Sequence, residues 1–381
     1  MSKVLSKFKW SVKIIVFAIV CIVAILHQTI GGGFNGAPTV HAICPFGALE
    51  SLFNLITGQS FIAKTYYSNI VFLIGSSLLV ILFGRIFCGW LCAFGTLQDL
   101  FSSLGKKILG KRFLINRTLD YYLKYLKYFI LFIILYLTWK TGELIIAPYD
   151  PFAAFSHIPA GIGEVINDYT WGFTFLILIL FSSLFYDNIF CKYICPLGAF
   201  YSILSKISVF KIIRDNSTCI NCKKCDKVCP VNIEIQSNEV IKSSECLSCM
   251  RCIDSCPTKK NSLSIKISKT SISPLRANFI GLGTFIAVIL ISKSMGYMKT
   301  MPNTMSEVIA GNPDKIRGWM SMEQIITEFK LDKEKFYNEL GIEEKDLPLD
   351  TTVKKSEEVL KSKGIEFDHD KIGEIIKKLI N

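Results

Sequence analysis

Histidine is scarce in this chain. Its 381 residues hold four, His27, His41, His157 and His369, and no two of them share a helical spacing inside an apolar run. A b-type haem held by paired membrane histidines therefore has no ligand pair here. No Gly-rich phosphate loop occurs in a strand–helix context, and there is no nucleophile elbow and no zinc-hydrolase pattern, so those chemistries lack their residues. Gly31, Gly32 and Gly33 have neither the lysine nor the strand of a phosphate cradle and read as an exit turn. Cations are also missing over a long stretch. No Lys or Arg lies between Lys140 and Lys192, where Glu143, Asp150, Glu164 and Asp168 stand instead.

What is present points to a membrane. Apolar residues make up 51% of the chain and charged ones only 19%. Residues 1–300 carry 30 Lys/Arg against 14 Asp/Glu, whereas residues 301–381 carry 13 against 17. Most of the cations flank apolar runs, where the positive-inside rule accounts for them, so the basic charge does not argue for nucleic acid. A first helix runs on from Ile14–Leu26. Further spans read at Tyr66–Gly84, Tyr128–Ile146, Tyr169–Tyr186 and Ala277–Ser292, each near the roughly 20 residues a crossing needs. Lys106, Lys107, Lys111, Arg112 and Arg117 place the loop after span two in the cytoplasm, together with residues 211–270. Loops 31–65 and 147–168 then face outward, and an odd count of five spans puts the C-terminal residues outside.

The densest chemistry lies at residues 219–257. Cys219, Cys222, Cys225 and Cys229 form one C-x2-C-x2-C-x3-C-P run, and Cys246, Cys249, Cys252 and Cys256 form a second. Three thiolates on one tight loop face one cuboidal cluster, and the fourth, ahead of proline, turns to the other. The expected ligand sets are Cys219, Cys222, Cys225 and Cys256 for one [4Fe–4S] cluster, and Cys246, Cys249, Cys252 and Cys229 for the other. Zinc sites show paired rather than triple runs, and disulfides need an oxidising compartment.

A second cysteine pattern repeats three times, as Cys44-Pro45-Phe46-Gly47, Cys92-Ala93-Phe94-Gly95 and Cys195-Pro196-Leu197-Gly198. Apolar residues recur at helical spacing after each copy, predicting a short amphipathic helix at the membrane boundary. The second and third copies add a partner thiol, in Cys88-Gly89-Trp90-Leu91-Cys92 and Cys191-Lys192-Tyr193-Ile194-Cys195. If those segments are helical, each pair shares one face. Three readings of Cys88, Cys92, Cys191 and Cys195 stay open: a further iron–sulfur cluster, packing between helices, or a redox-active dithiol or transient metal site. Cys21 reads as packing, and Cys44 lies on the opposite side.

C-x3-C membrane motifs ahead of a two-cluster ferredoxin resemble the NapH/NosR-type family of polytopic membrane ferredoxins. CGWLCAFGTLQD at 88–99, CKYICPLGAF at 191–200 and the eight ferredoxin cysteines carry the resemblance, over about residues 10–270. It implies electron transfer between the quinone pool and a partner redox protein, as a carrier or as a subunit of a quinol-linked oxidoreductase. Ala93 departs from the family's proline. The alternative is a redox-sensing, regulatory or metal-assembly protein of the same family.

The expected architecture is an all-α polytopic membrane protein with an inserted α+β ferredoxin domain and a small helical C-terminal domain. Residues 1–210 would hold four spans, 211–270 the two clusters, 271–300 the fifth span and 301–381 a soluble helical module. Within that module Ser321, Asp332 and Thr352 read as helix starts, and Asp368-His369-Asp370 as a capped turn. Lys223, Lys224, Lys227, Lys242 and Arg251 decorate the ferredoxin surface and could steer an acidic soluble ferredoxin or flavodoxin, or simply face anionic lipid.

Overall fold

The structure, a computed structural model, describes residues 2–31, 36–58, 62, 65–111, 113–258, 262–267, 270–300, 313, 316, 318–365 and 370–380. Gly32, Gly33, Arg112 and the Asp368-His369 turn lie outside the described residues. Two units separate: residues 1–25 with 40–298, and residues 26–39 with 299–381.

The first unit opens with α1 (Ser2–Ile30), α2 (Pro45–Ile56), α3 (Tyr67–Phe83), α4 (Ala93–Leu109), α5 (Arg117–Leu123) and α6 (Leu126–Thr141). It continues through α7 (Pro151–His157), α8 (Ile162–Asp168), α9 (Thr170–Phe185), α10 (Ile189–Tyr193) and α11 (Pro196–Ser205). The ferredoxin segment follows, with β1 (Phe210–Arg214), α12 (Lys224–Val228), β2 (Val240–Ile241), α13 (Arg251–Ser255), β3 (Leu263–Ile267) and β4 (Thr270–Ile272), and then α14 (Pro274–Ser294).

Among the described residues, three stretches are long and apolar enough to cross a bilayer: Val4–Ile30, Arg117–Thr141 and Pro274–Ser294. The other two expected spans, α3 and α9, are apolar but have only 17 and 16 residues. At 1.5 Å per residue each is about 25 Å long, short of a hydrocarbon core of about 30 Å. Each is followed by a left-handed residue, Gly84 at φ 68° and Asn188 at φ 47°, that turns the chain into a cysteine motif. Ile14, Ile15, Ile22, Phe129, Phe132, Trp171, Phe181 and Leu290 are exposed on these helices. Side chains of that size facing outward suit hydrocarbon, and helices satisfy their own backbone there.

The ferredoxin strands form one antiparallel sheet in the order β2-β1-β3-β4, with Ile212 opposite Ile265 and Ile212 opposite Ile241. Strand side chains alternate between faces, and Phe210, Ile212, Leu263 and Ile265 all fall on the buried one. They share a core with Leu79, Val80 and Phe83 of α3, with Trp90, and with Ala277 and Phe285 of α14. The ferredoxin segment is therefore fused to the membrane helices through one apolar core.

In the second unit, α15 (Met322–Glu328), α16 (Lys333–Leu340), α17 (Val353–Ser362) and α18 (Asp370–Ile380) close over Met320, Met322, Ile325, Phe336, Leu360, Ile372 and Ile376. Ser321 and Gln324 form a capping box. Asp332 accepts from the Lys335 N–H at 3.0 Å. Thr352 stands at the cap of α17 without a side-chain bond, and instead bridges to Ser321.

Candidate metal centre

Each ferredoxin run builds the same loop. In the first, Asn221 and Lys223 have φ of 55° and 56°, and in the second Ser248 and Met250 have φ of 48° and 59°. Alternating left-handed residues turn successive N–H groups to one side, a concavity that suits anions and iron–sulfur sulfurs. Lys223 and Met250 then cap the five-residue helices α12 and α13, which end at Cys229 and Cys256 in extended conformation. The last cysteine of each run is thereby swung off its own loop.

Cys229 joins Cys246, Cys249 and Cys252 around one cavity, whose lining includes Ile212, Val231, Ile233, Ile235, Ile241 and Met250. Burial and the neighbouring Cys249 push the Cys246 thiol up to about 12. Thiols so desolvated stay protonated unless a metal takes the proton's place. Four sulfur donors in an apolar cradle fit a cuboidal cluster. The other expected set is more open, with Cys222 exposed and Cys219, Cys225 and Cys256 half-buried. Asn221 and Arg214 hold the Cys219 thiol below its usual range, since it is barely buried.

The membrane motifs share a different geometry. The Cys92 N–H donates to the Phe87 carbonyl and the Cys195 N–H to the Phe190 carbonyl, both at 2.9 Å, and each helical turn ends there. Each pair, four residues apart, spans one such turn, and its two thiols lie within electrostatic reach of one another. Cys92 and Cys195 cap α4 and α11, and their Sγ atoms accept from the Gly95 and Gly198 N–H groups at 3.4 and 3.3 Å. α4 runs along α1 and α9. Ala93 clusters with Val20 and Ala24 of α1, while Asp99, further along α4, pairs with Lys13. Phe94 meets Leu176 near the middle of α9, and Gly105 lies against the Leu184 carbonyl near its end. The capped end of α4 thus stands well inside the apolar bundle.

The two pairs are brought together. Cys191 lies within electrostatic reach of Cys92, Cys195 and Cys88, and Cys195 of Cys88 and Cys92. Gln98 donates to Cys191 Sγ at 3.2 Å. Among the described residues no three His, Cys, Asp or Glu groups stand as close as a single metal ion requires; the sulfurs of a cubane are spread wider. Beside Cys88, Cys191 and Cys195 the wholly buried Arg85 keeps two guanidinium nitrogens, Nε and Nη2, without a hydrogen-bond partner among the described residues. A buried cation with two unpartnered nitrogens next to these thiols fits an anionic metal–thiolate group.

The membrane motif touches the ferredoxin loop. A Cβ at Gly89 would collide with the Leu247 carbonyl oxygen, and the Lys9 ammonium donates to the Cys249 carbonyl at 3.1 Å. Buried ion pairs clamp the junction. Asp99 binds Lys13 and, at 2.7 Å, Arg251; Asp187 binds Lys106 at 2.8 Å; Glu245 binds Lys127 at 2.5 Å. Burial would raise Asp99, but Arg251, Lys13 and Lys9 outweigh it and hold its carboxyl well below the usual range. Arg251 is therefore a clamp and not part of a steering surface. Lys223, Lys224, Lys227 and Lys242 are exposed as expected.

Cys44 stands apart from the four thiols. Its neighbours are the carboxyls of Asp150 and Glu50, and its carbonyl accepts from Asn69 at 2.9 Å. Cys44 precedes α2 without a side-chain bond to it, whereas Asp150 caps α7 ahead of Pro151-Phe152 by accepting from the Phe152 N–H at 2.9 Å, as Cys92 and Cys195 cap α4 and α11. The Asp-Pro-Phe triplet was the available signal for the Asp150 cap. Arg85, Lys127 and Glu245 were also missed. For Arg85 the signal is a lone cation between an apolar run and Cys88.

Comparison with known proteins agrees with this division. A family model described as a 4Fe-4S binding domain matches residues 65–112 and again 168–214, each holding one C-x3-C pair. A 4Fe-4S dicluster domain model matches residues 211–257. The chain is 35% identical over 199 residues to the Methanocaldococcus jannaschii protein MJ0750, covering 52% of this chain and 76% of that one. It is 29% identical to the putative electron transport protein YccM of Escherichia coli, covering 50% and 53%. It is also 29% identical to the ferredoxin-type protein NapH of Haemophilus influenzae, covering 46% and 59%. The chain therefore spans little more than half the length of YccM or NapH. No solved structure matches it significantly.

Proposed function

The chain belongs to the NapH/NosR-type family of polytopic membrane ferredoxins, and from that premise we propose that it is a membrane electron carrier with three iron–sulfur centres in series. Iron–sulfur electron transfer at a membrane is common to this family's motifs. In the finer reading Cys88, Cys92, Cys191 and Cys195 would hold a cluster on the side of the quinone pool, Cys246, Cys249, Cys252 and Cys229 an inner one, and Cys219, Cys222, Cys225 and Cys256 an outer one on the side of a redox partner, and the three would relay single electrons in either direction. Bound clusters supply one-electron carriers, with no bond made or broken.

The observation that carries this reading is the contact of Gly89 with Leu247 and Cys249, which sets a membrane cysteine turn against a ferredoxin cysteine loop. This chain's own residues do the rest. The aliphatic wall of Ile212, Val231, Ile235 and Ile241 keeps water from the inner cluster site, while exposed Cys222 and its lysines leave the outer one open to a partner. Five spans, with the ferredoxin segment in the cytoplasm and the C-terminal unit outside, agree with the Lys/Arg distribution.

The test is iron and acid-labile sulfide per chain, with EPR, on anaerobically purified protein and on a variant with Cys88, Cys92, Cys191 and Cys195 changed to Ser. Ten to twelve irons falling to about eight support the third centre. About eight irons in both remove it and leave a two-cluster carrier.

A further inference from the structure

A cation buried in an apolar bundle persists only where something anionic needs it. Arg85 follows α3 directly and is wholly enclosed. Its Nη1 donates to Ser202 Oγ at 2.9 Å and to the Ser244 carbonyl at 3.4 Å, and the nearest Glu245 carboxylate oxygen is 3.6 Å away. That pairing is loose, and Glu245 is held more closely by Lys127 at 2.5 Å. Among the described residues, protein atoms therefore satisfy only one side of the guanidinium.

The other side faces the cysteines. The place a Gly198 Cβ would take lies 3.0 Å from Arg85 Nη2, and the Gly198 N–H itself donates to Cys195 Sγ. Glycine at 198 leaves the room in which Nη2 sits. Cys88, Cys195 and Cys191 are within electrostatic reach of the guanidinium, and so is Cys246 on the ferredoxin loop. The fixed charge of Arg85 thus lies within reach of both the membrane thiols and the first cysteine of the inner ferredoxin set, with the buried Lys127, paired to Glu245, beside it.

We propose that Arg85 is a positioning residue shared by the two centres, whose charge raises the reduction potential of the membrane centre and matches it to the Cys246 cluster. The inference rests on the three-centre reading above. Four thiolates around iron carry net negative charge, which grows by one on reduction. A buried cation favours the reduced form, and its effect is large because little water screens it. Glu245 acts with the opposite sign from the same place.

The experiment is an EPR-monitored redox titration, with iron counts, of the full chain and of R85K, R85Q and E245Q. R85K should keep the parent potential. R85Q should lower the membrane centre at least tenfold in its reduced-to-oxidised ratio, or 59 mV for one electron, with a smaller shift of the same sign at the inner ferredoxin cluster. E245Q should shift both upward. A residue that only shaped the fold would not give shifts of opposite sign. About eight irons in the parent overturns the three-centre reading and this proposal with it. Ten to twelve irons with unmoved potentials in R85Q and E245Q overturns this proposal alone. Iron lost from R85Q but kept in R85K supports it, because charge at that position is then needed to hold the centre.

Discussion

Trp90 donates its indole N–H to the carbonyl of Ser248 at 3.3 Å, so the middle of one cysteine motif is bonded to the middle of another. Trp90 lies between Cys88 and Cys92, and Ser248 between Cys246 and Cys249. On the three-centre reading, electrons passing between the bilayer and the ferredoxin segment cross this junction.

Gly89→Ala should weaken the junction. The added methyl meets the Leu247 carbonyl, a backbone atom that cannot swing aside. Overpacking of this kind costs about 1–3 kcal/mol. The thermal midpoint should fall, and reduction of the ferredoxin clusters by a quinol should slow while direct reduction by dithionite does not. Equal slowing of both would show that the junction is not on the route.

Asp99→Asn leaves Lys13 buried without its anion and Arg251 with Asp187 alone, at 3.4 Å. Breaking one partner of a buried pair costs about 3–5 kcal/mol. Lys227→Gln, on an exposed lysine, should change stability by less than about 0.5 kcal/mol. Chemical denaturation of both variants in detergent checks the contrast, and similar small effects would mean Asp99 is not a clamp.

Cys44→Ser should leave iron content at the parent value, because its neighbours are the carboxyls of Asp150 and Glu50 and not the four thiols. Iron analysis decides this, and a loss of iron would bring Cys44 into the ligand set.

Glu50 gives a pH dependence. Burial pushes it up to about 8, against the Thr138 hydroxyl that favours the charge and with Asp150 adding to the rise. The folded state then binds the proton more tightly than the unfolded one. Its contribution to stability is full below about pH 4.5 and declines as pH rises to about 8. Thermal midpoints from pH 5 to 9 should fall in the parent and flatten in Glu50→Gln, while parallel slopes would assign the dependence elsewhere.

Lys223, Lys224 and Lys227 stand on the run that carries Cys219, Cys222 and Cys225, and with Lys242 they are exposed. Reduction by an acidic soluble ferredoxin or flavodoxin should slow as salt rises from about 0.01 to 0.5 M, where the screening length contracts several-fold. Changing the four lysines to Gln should remove most of that slope, whereas a flat rate in the parent would leave these lysines to the lipid surface.

The cysteine spacing by itself determined the ferredoxin loops, because a C-x2-C-x2-C run can point three thiols one way only through a tight left-handed turn. Asn221 and Ser248 adopt that turn at equivalent positions. Hydropathy likewise determined where the apolar helices lie, and the capping rules found Ser321 and Asp332. Arg251 was misassigned because a charge beside a cysteine looks the same in sequence whether water or Asp99 faces it. The fit of Cys88, Cys92, Cys191 and Cys195 into one group, and of Arg85 against them, was decided only by packing. Residues about a hundred positions apart meet because α4 lies along α9 and α11 along α3 and α6. No local periodicity records which helix packs on which, and the charge each buried site needs becomes visible only once its neighbours are in place.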